Sequence, residues 1–144
     1  MGLIYLDSCI CIYAIEQSSH FHVDVLAAMA SVPAARFAIS PLVMAECLVR
    51  PLKAGNVYVE QDYEALFRRV TILDMPAAVY RQAAQIRSAG KLKMPDALHL
   101  ACAQYHACEA LWTNDDRLGQ ASSGLAQAIV SDVGNVLSSP VGKE

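Results

Sequence analysis

The first apolar run, residues 2–6, is short and stops at Asp7, the pattern of a buried strand closed by a polar residue. Asp7 or Ser8 can cap a helix running to about residue 17, with Ile10, Tyr13 and Ala14 on one face. A second helix is expected over residues 22–31, stopped by Pro33, and a short strand over 36–39. Ser40-Pro41 places a cap residue before a proline at the first helical position, where its missing N–H is not needed, and starts a helix to about residue 49. Residues 51–56 read as a turn-rich break. Beyond it the pattern predicts a helix over 58–69, a strand over 70–73 and a long helix opened by Pro76 and running to about 89. A basic loop (90–93), an Ala- and Leu-rich helix to about 107 and a strand at 110–113 follow. A turn or short helix at 115–119 and a last strand at 127–131 complete the series. Strands alternating with helices of this length imply crossover units and an α/β fold, a mainly parallel sheet with helices on both faces.

The 144 residues fit one domain, expected over 1–137, with 138–144 a frayed tail. Hydrophobic residues reach 55%, enough for a closed core, and only 17% are charged, so an acid among apolar neighbours needs a reason. A net charge of −3 gives no whole-molecule basic field, and nucleic-acid binding would need a local patch. Eight of the 11 Lys and Arg (Arg50, Lys53, Arg68, Arg69, Arg81, Arg87, Lys91 and Lys93) lie in the stretch 50–93 with only four acids. That stretch is either such a patch or a set of solvated helix faces. The five cysteines are an odd set without a CxxC pair and sit among apolar residues, which fits free buried thiols in a reducing cytoplasm. The N-terminus shows neither a signal peptide nor a membrane anchor pattern, so a cytoplasmic location is expected.

Four acids carry the chemical interest. Asp7 ends the first strand and Asp115 follows the strand at 110–113; in an open parallel sheet, ligands bind beyond the carboxyl ends of strands. Glu46 lies inside Leu42-Val43-Met44-Ala45-Glu46-Cys47-Leu48-Val49, and Asp96 in the first turn of an apolar helix. Each has a quieter explanation: Asp7 and Asp115 as helix caps, Asp96 facing the helix dipole, Glu46 paired with Arg50. Together they suit a hard divalent cation such as Mg²⁺ or Mn²⁺, which prefers oxygen ligands. Such ions lower the pKa of bound water and stabilise an in-line phosphoryl transition state, two of them typically about 3.5–4 Å apart. The substrate would be a phosphodiester.

The stretches Ile4-Tyr5-Leu6-Asp7-Ser8-Cys9, Ser40-Pro41-Leu42-Val43-Met44-Ala45-Glu46, Met94-Pro95-Asp96-Ala97-Leu98-His99-Leu100-Ala101 and Thr113-Asn114-Asp115 resemble the four acidic motifs of the PIN domain, in order and spacing, across essentially the whole chain. Among PIN domains the chain looks most like VapC-type toxins, the ribonuclease halves of bacterial toxin–antitoxin pairs. The resemblance implies a three-layer α/β/α sandwich and Mg²⁺- or Mn²⁺-dependent endoribonuclease activity. It also implies homodimerisation and a small antitoxin that blocks the acidic site. It makes Asp7, Glu46 and Asp96 the principal metal ligands, completed by Asp115, with Asp116 the alternative if the turn is shifted by one. Thr113 and Asn114 match polar positions that orient the last acid or a water, and Ser8 the small hydroxyl after the first Asp. Cys9 departs from the commoner Asn or Ser.

Other readings are weaker. His20, His22, His99 and His106 lack a complementary zinc pattern, and His99, three residues after Asp96, reads as a core or rim histidine rather than a catalytic base. No serine-hydrolase elbow, Walker loop or dinucleotide fingerprint occurs, and aromatic residues, at 7%, are too few for a base-stacking platform. A non-catalytic RNA-binding module or a receiver-like regulatory module that keeps the acids is the alternative function. The receiver lacks its paired N-terminal acids and its late lysine. Arg50 and Lys53 after Glu46, and Lys91 and Lys93 before Asp96, are the expected RNA phosphate contacts.

Overall fold

The computed structural model describes residues 2–130, apart from the side chains of Asp116 and Gln120, so the expected tail at 138–144 and the end of the last expected strand lie outside the described residues. Along the chain run β1 (Leu3–Leu6), α1 (Ser8–Ile15), α2 (His22–Ala30), β2 (Arg36–Ile39), α3 (Pro41–Ala54) and α4 (Val57–Arg69). They are followed by β3 (Thr71–Ile72), α5 (Ala77–Ala89), α6 (Met94–Tyr105), β4 (Ala110–Thr113), α7 (Asp116–Ala121) and β5 (Ala126–Ala128).

The five strands form one sheet in the order β3-β2-β1-β4-β5, and every neighbouring pair is parallel. The chain moves outward from β1 to β2 and β3, then returns past β1 to β4 and β5. Right-handed crossovers therefore place α1 to α4 on one face and α5 to α7 on the other, a three-layer sandwich in which α3 packs on α4 and α5 on α6. The direction reverses between β1 and β4, and their register, Leu6 opposite Trp112, brings both carboxyl ends to the same crevice.

The central strands are buried: Tyr5, Leu6 and Leu111 are fully inaccessible. In α6 every residue from Ala97 to Ala103 is buried, which accounts for its Ala- and Leu-rich sequence with no polar face at those positions. Only His99 interrupts that apolar run.

Residues 51–56 are not the expected break: α3 continues through Pro51 to Ala54. Pro51 removes one N–H from the ladder, but it lies in the last turn, and Val43, Cys47 and Pro51 form one buried stripe at i, i+4 and i+8. The stop comes at Gly55, at φ 67°, where Gly55 N donates to Leu52 O (3.2 Å) and Asn56 N to Pro51 O (2.8 Å). At its other end α3 starts as expected, with Ser40 Oγ accepting from Val43 N at 3.4 Å. Pro76 precedes α5 as its N-cap rather than opening it. None of the five cysteines is in a disulfide, and Cys11, Cys47, Cys102 and Cys108 are buried. Among the described residues no helix is long and apolar enough to cross a membrane.

Candidate metal centre

Asp7 extends the pairing of β1 by one residue, its N–H donating to Trp112 O at 3.0 Å. Its carboxylate thereby emerges at the sheet's switch point, only 7% exposed. One oxygen accepts from Ser8 N (2.7 Å), capping α1, and the other accepts from Thr113 Oγ1 (2.8 Å) at the end of β4. A buried carboxylate is tolerated when its lone pairs are occupied this way. Ser8 Oγ lies 3.5 Å from the same carboxylate.

Glu46 reaches the crevice from α3. Its Oε1 accepts from His99 Nε2 at 2.8 Å, and His99 Nε2 lies 3.7 Å from Asp7 Oδ1. Ligand atoms of Asp7, Glu46 and His99 all fall within 4.8 Å of one another. Arg50 is not the partner of Glu46; it faces Glu16 at 3.9 Å, at the far end of α3 from Ser40. Burial alone would raise the Glu46 carboxyl, but the hydrogen bond and charge of His99, with Ser8, bring it below its usual value of 4.5.

Asp96 and Asp115 flank this group. Asp96 is half-buried in the first turn of α6, and burial, then the charges of Asp7 and Asp115, push its carboxyl above the usual 3.8 against the opposing His99 and Arg117. A helix N-terminus by itself would shift it the other way, so the acidic neighbours and burial dominate. Asp115 is the N-cap of α7, accepting from Arg117 N at 2.9 Å. It also accepts from Arg117 Nε (3.1 Å) and Nη2 (2.9 Å), and that hydrogen bonding holds its carboxyl low. Asn114 Nδ2 donates to Tyr13 Oη at 2.9 Å, while Thr113, expected beside the last acid, serves Asp7 with its hydroxyl and accepts from Asp115 N at 3.3 Å. The side chain of Asp116 lies outside the described parts.

This donor set fits a divalent cation. Burial, and after it the charges of Asp7 and Asp115, disfavour the ionised form of Asp96, a balance that a cation would relieve. Asp7 accepts hydrogen bonds from neutral donors, and Glu46 from His99 and the Ser8 side chain. Carboxylate oxygens in a partly buried crevice are the ligands a hard ion takes.

Beyond Asp96 opens a cavity of about 360 Å³ lined by Lys91, Leu92, Lys93, Asp96, Arg117 and Ala121. Arg117 lies outside the basic stretch 50–93, and only the fold brings it to the cavity that Lys91 and Lys93 line. The sequence presents His99 as a core or rim histidine, and the structure buries it against Glu46. Its spacing of three from Asp96 put both on one helical face and was the available signal.

A family model of the PIN domain matches residues 4–123. The chain belongs to the PIN-domain family. PIN domains are nucleases, so the chain falls in a family of hydrolases, and the receiver-like alternative is not favoured. The fold is that of several solved toxin and toxin–antitoxin structures. One is a toxin–antitoxin complex from Klebsiella pneumoniae, 23% identical over 89% of this chain and 98% of that one, TM-score 0.73. Another is VapBC2 from Rickettsia felis bound to a DNA fragment from its promoter, 20% identical over 87% and 97%, TM-score 0.70. A third is VapC20 of Mycobacterium tuberculosis, a toxin that cleaves the sarcin–ricin loop, 15% identical over 82% and 94%, TM-score 0.70. No curated protein sequence matches the chain.

Proposed function

We propose that this PIN domain is a Mg²⁺- or Mn²⁺-dependent endoribonuclease, the toxin of a toxin–antitoxin pair, acting as a homodimer in the cytoplasm. The observation that carries the reading is the meeting of Asp7 and Glu46 at the switch point, with Asp96 and Asp115 close enough to act on each other electrostatically. The likeness of the fold to toxin–antitoxin complexes supports a small cognate antitoxin as partner. One structural relative cleaves the sarcin–ricin loop, which supports RNA as substrate.

In this reading Asp7, Glu46 and Asp96 hold the metal and Asp115 completes the set. Ser8 and Thr113 fix the orientation of Asp7. Lys91 and Lys93, joined by Arg117, take a substrate phosphate in the cavity beside Asp96; Arg50 and Lys53 extend the contact along α3. A bound divalent ion supplies an activated water and neutralises charge developing on the phosphate.

RNA cleavage by the purified chain is the test. It should require Mg²⁺ or Mn²⁺, stop in EDTA, and fall at least about 100-fold in Asp7→Asn and Asp96→Asn, because losing metal stabilisation of a phosphoryl transition state costs several kcal/mol. Circular dichroism should show both variants folded, since the amides preserve volume. Cleavage that persists in EDTA, or in the amide variants, would overturn the reading. The partner assignment predicts that a small protein encoded beside this gene co-purifies with the chain and suppresses cleavage.

A further inference from the structure

A line of four side chains, drawn from three elements and one helix cap, runs inward from Glu46. His99 Nε2 lies 2.8 Å from Glu46 Oε1, His99 Nδ1 lies 2.7 Å from Tyr5 Oη, and Tyr5 Oη lies 2.7 Å from Ser40 Oγ. Tyr5 and Ser40 are fully inaccessible and His99 is 1% exposed. Ser40 is also the N-cap of α3, so the line leaves that helix at its first turn and returns to it at Glu46 by way of β1 and α6.

The polarity of this line is set at its outer end. A carboxylate offers only lone pairs, so His99 must present a proton on Nε2. If the ring is neutral, Nδ1 is an acceptor and the Tyr5 hydroxyl donates to it; if the ring is charged, Tyr5 accepts from Nδ1–H and donates its own O–H to Ser40 Oγ. Either way Nε2–H stays aimed at Glu46. A nitrogen that carries this proton has no lone pair to offer a metal, although it lies within ligand distance of Asp7 and Glu46.

We infer that His99 is a positioning residue rather than a metal ligand: held by Tyr5 and Ser40, it fixes the orientation in which the Glu46 carboxylate meets the cation. The inference rests on the metal-centre reading of Glu46 given above. It explains why an imidazole interrupts the buried run of α6, and why the tyrosine one strand away is polar at a position where the neighbouring Ile4 and Leu6 are not. Partners that hold a ligand in orientation typically contribute about 10- to 100-fold to metal affinity.

The experiment uses the full chain and Mn²⁺ as probe, with affinity measured by calorimetry, nitrogen coupling by electron spin-echo spectroscopy, and melting in EDTA as the control for folding. Wild type should bind Mn²⁺ with no directly coupled ¹⁴N. His99→Leu should weaken binding about 10- to 100-fold and Tyr5→Phe about 10-fold. His99→Gln, whose amide can return an N–H to Glu46, should recover most of the loss. If Tyr5→Phe alone does not fold, Tyr5→Phe/His99→Leu replaces both buried partners by apolar groups and should fold with the His99→Leu affinity. A ¹⁴N coupling in wild type that disappears in His99→Leu would make His99 a direct ligand and overturn the inference. Undiminished affinity in His99→Leu would overturn it as well, while leaving the metal centre standing. Wild type that binds no Mn²⁺ would bring down the metal-centre reading itself, and this inference with it.

Discussion

His99 sits in the apolar interior and yet its pKa is raised above 6.5. Burial works to lower it, but the hydrogen bond to Glu46 and the charges of Asp7, Glu46 and Asp96 outweigh that. A group raised on folding stabilises fully below its unfolded value and loses that contribution as pH climbs through the folded one. Asp96, raised mainly by burial, acts in the same direction, because its ionised form is disfavoured in the folded chain. Glu46 is lowered, so its contribution is present above 4.5 and lost on acidification through its lower folded value. The metal-free protein should therefore melt highest between the ordinary values of Glu46, 4.5, and His99, 6.5, and progressively lower as pH rises above the latter. Melting curves in EDTA check this, and His99→Gln should flatten the alkaline side of the profile. A wild-type profile that rises toward alkaline pH would contradict the assigned balance of charges around His99.

At the scale of elements, helix ends were legible where a single residue type sets them and elusive where packing does. Ser40-Pro41 announced the start of α3 because capping and a fixed φ are local properties. Its end was misjudged because a buried stripe carries the helix past Pro51, and burial is not a local property. The end of α6 is closed in a similar way to that of α3, with Ala107 N donating to Gln104 O (3.1 Å) and Cys108 N to Ala103 O (2.9 Å). Here, however, the left-handed position, at φ 55°, is taken by Ala107 rather than glycine. A Cβ in that conformation costs roughly 1 kcal/mol. Ala107→Gly should accordingly stabilise the chain by about 0.5–1 kcal/mol in urea denaturation, an unusual sign for a substitution that loosens the unfolded chain. Destabilisation by Ala107→Gly would show that the position carries no strain.

For the molecule as a whole, a net charge of −3 coexists with a cationic cavity wall at Lys91, Lys93 and Arg117. If RNA phosphates bind there, each lost contact on a single strand lowers the slope of log affinity against log salt by about 0.7, and the triple change to Gln should flatten it by about 2. An unchanged slope would place the phosphate contacts elsewhere. The alternation of short strands and helices was enough to indicate a parallel α/β sheet, because side-chain periodicity and crossover handedness constrain topology strongly. The motif spacing was enough to indicate the family, and it singled out Asp7 and Glu46 by their chemistry against apolar surroundings. What the linear sequence could not give was distance. The pairing of Arg50 with Glu16, the capture of Glu46 by a histidine 53 residues away, the Thr113 hydroxyl on Asp7, and the arrival of Arg117 across from Lys91 were all decided in three dimensions. A side chain's partner depends on which strand ends the sheet's switch point brings together, and chain connectivity alone does not encode that.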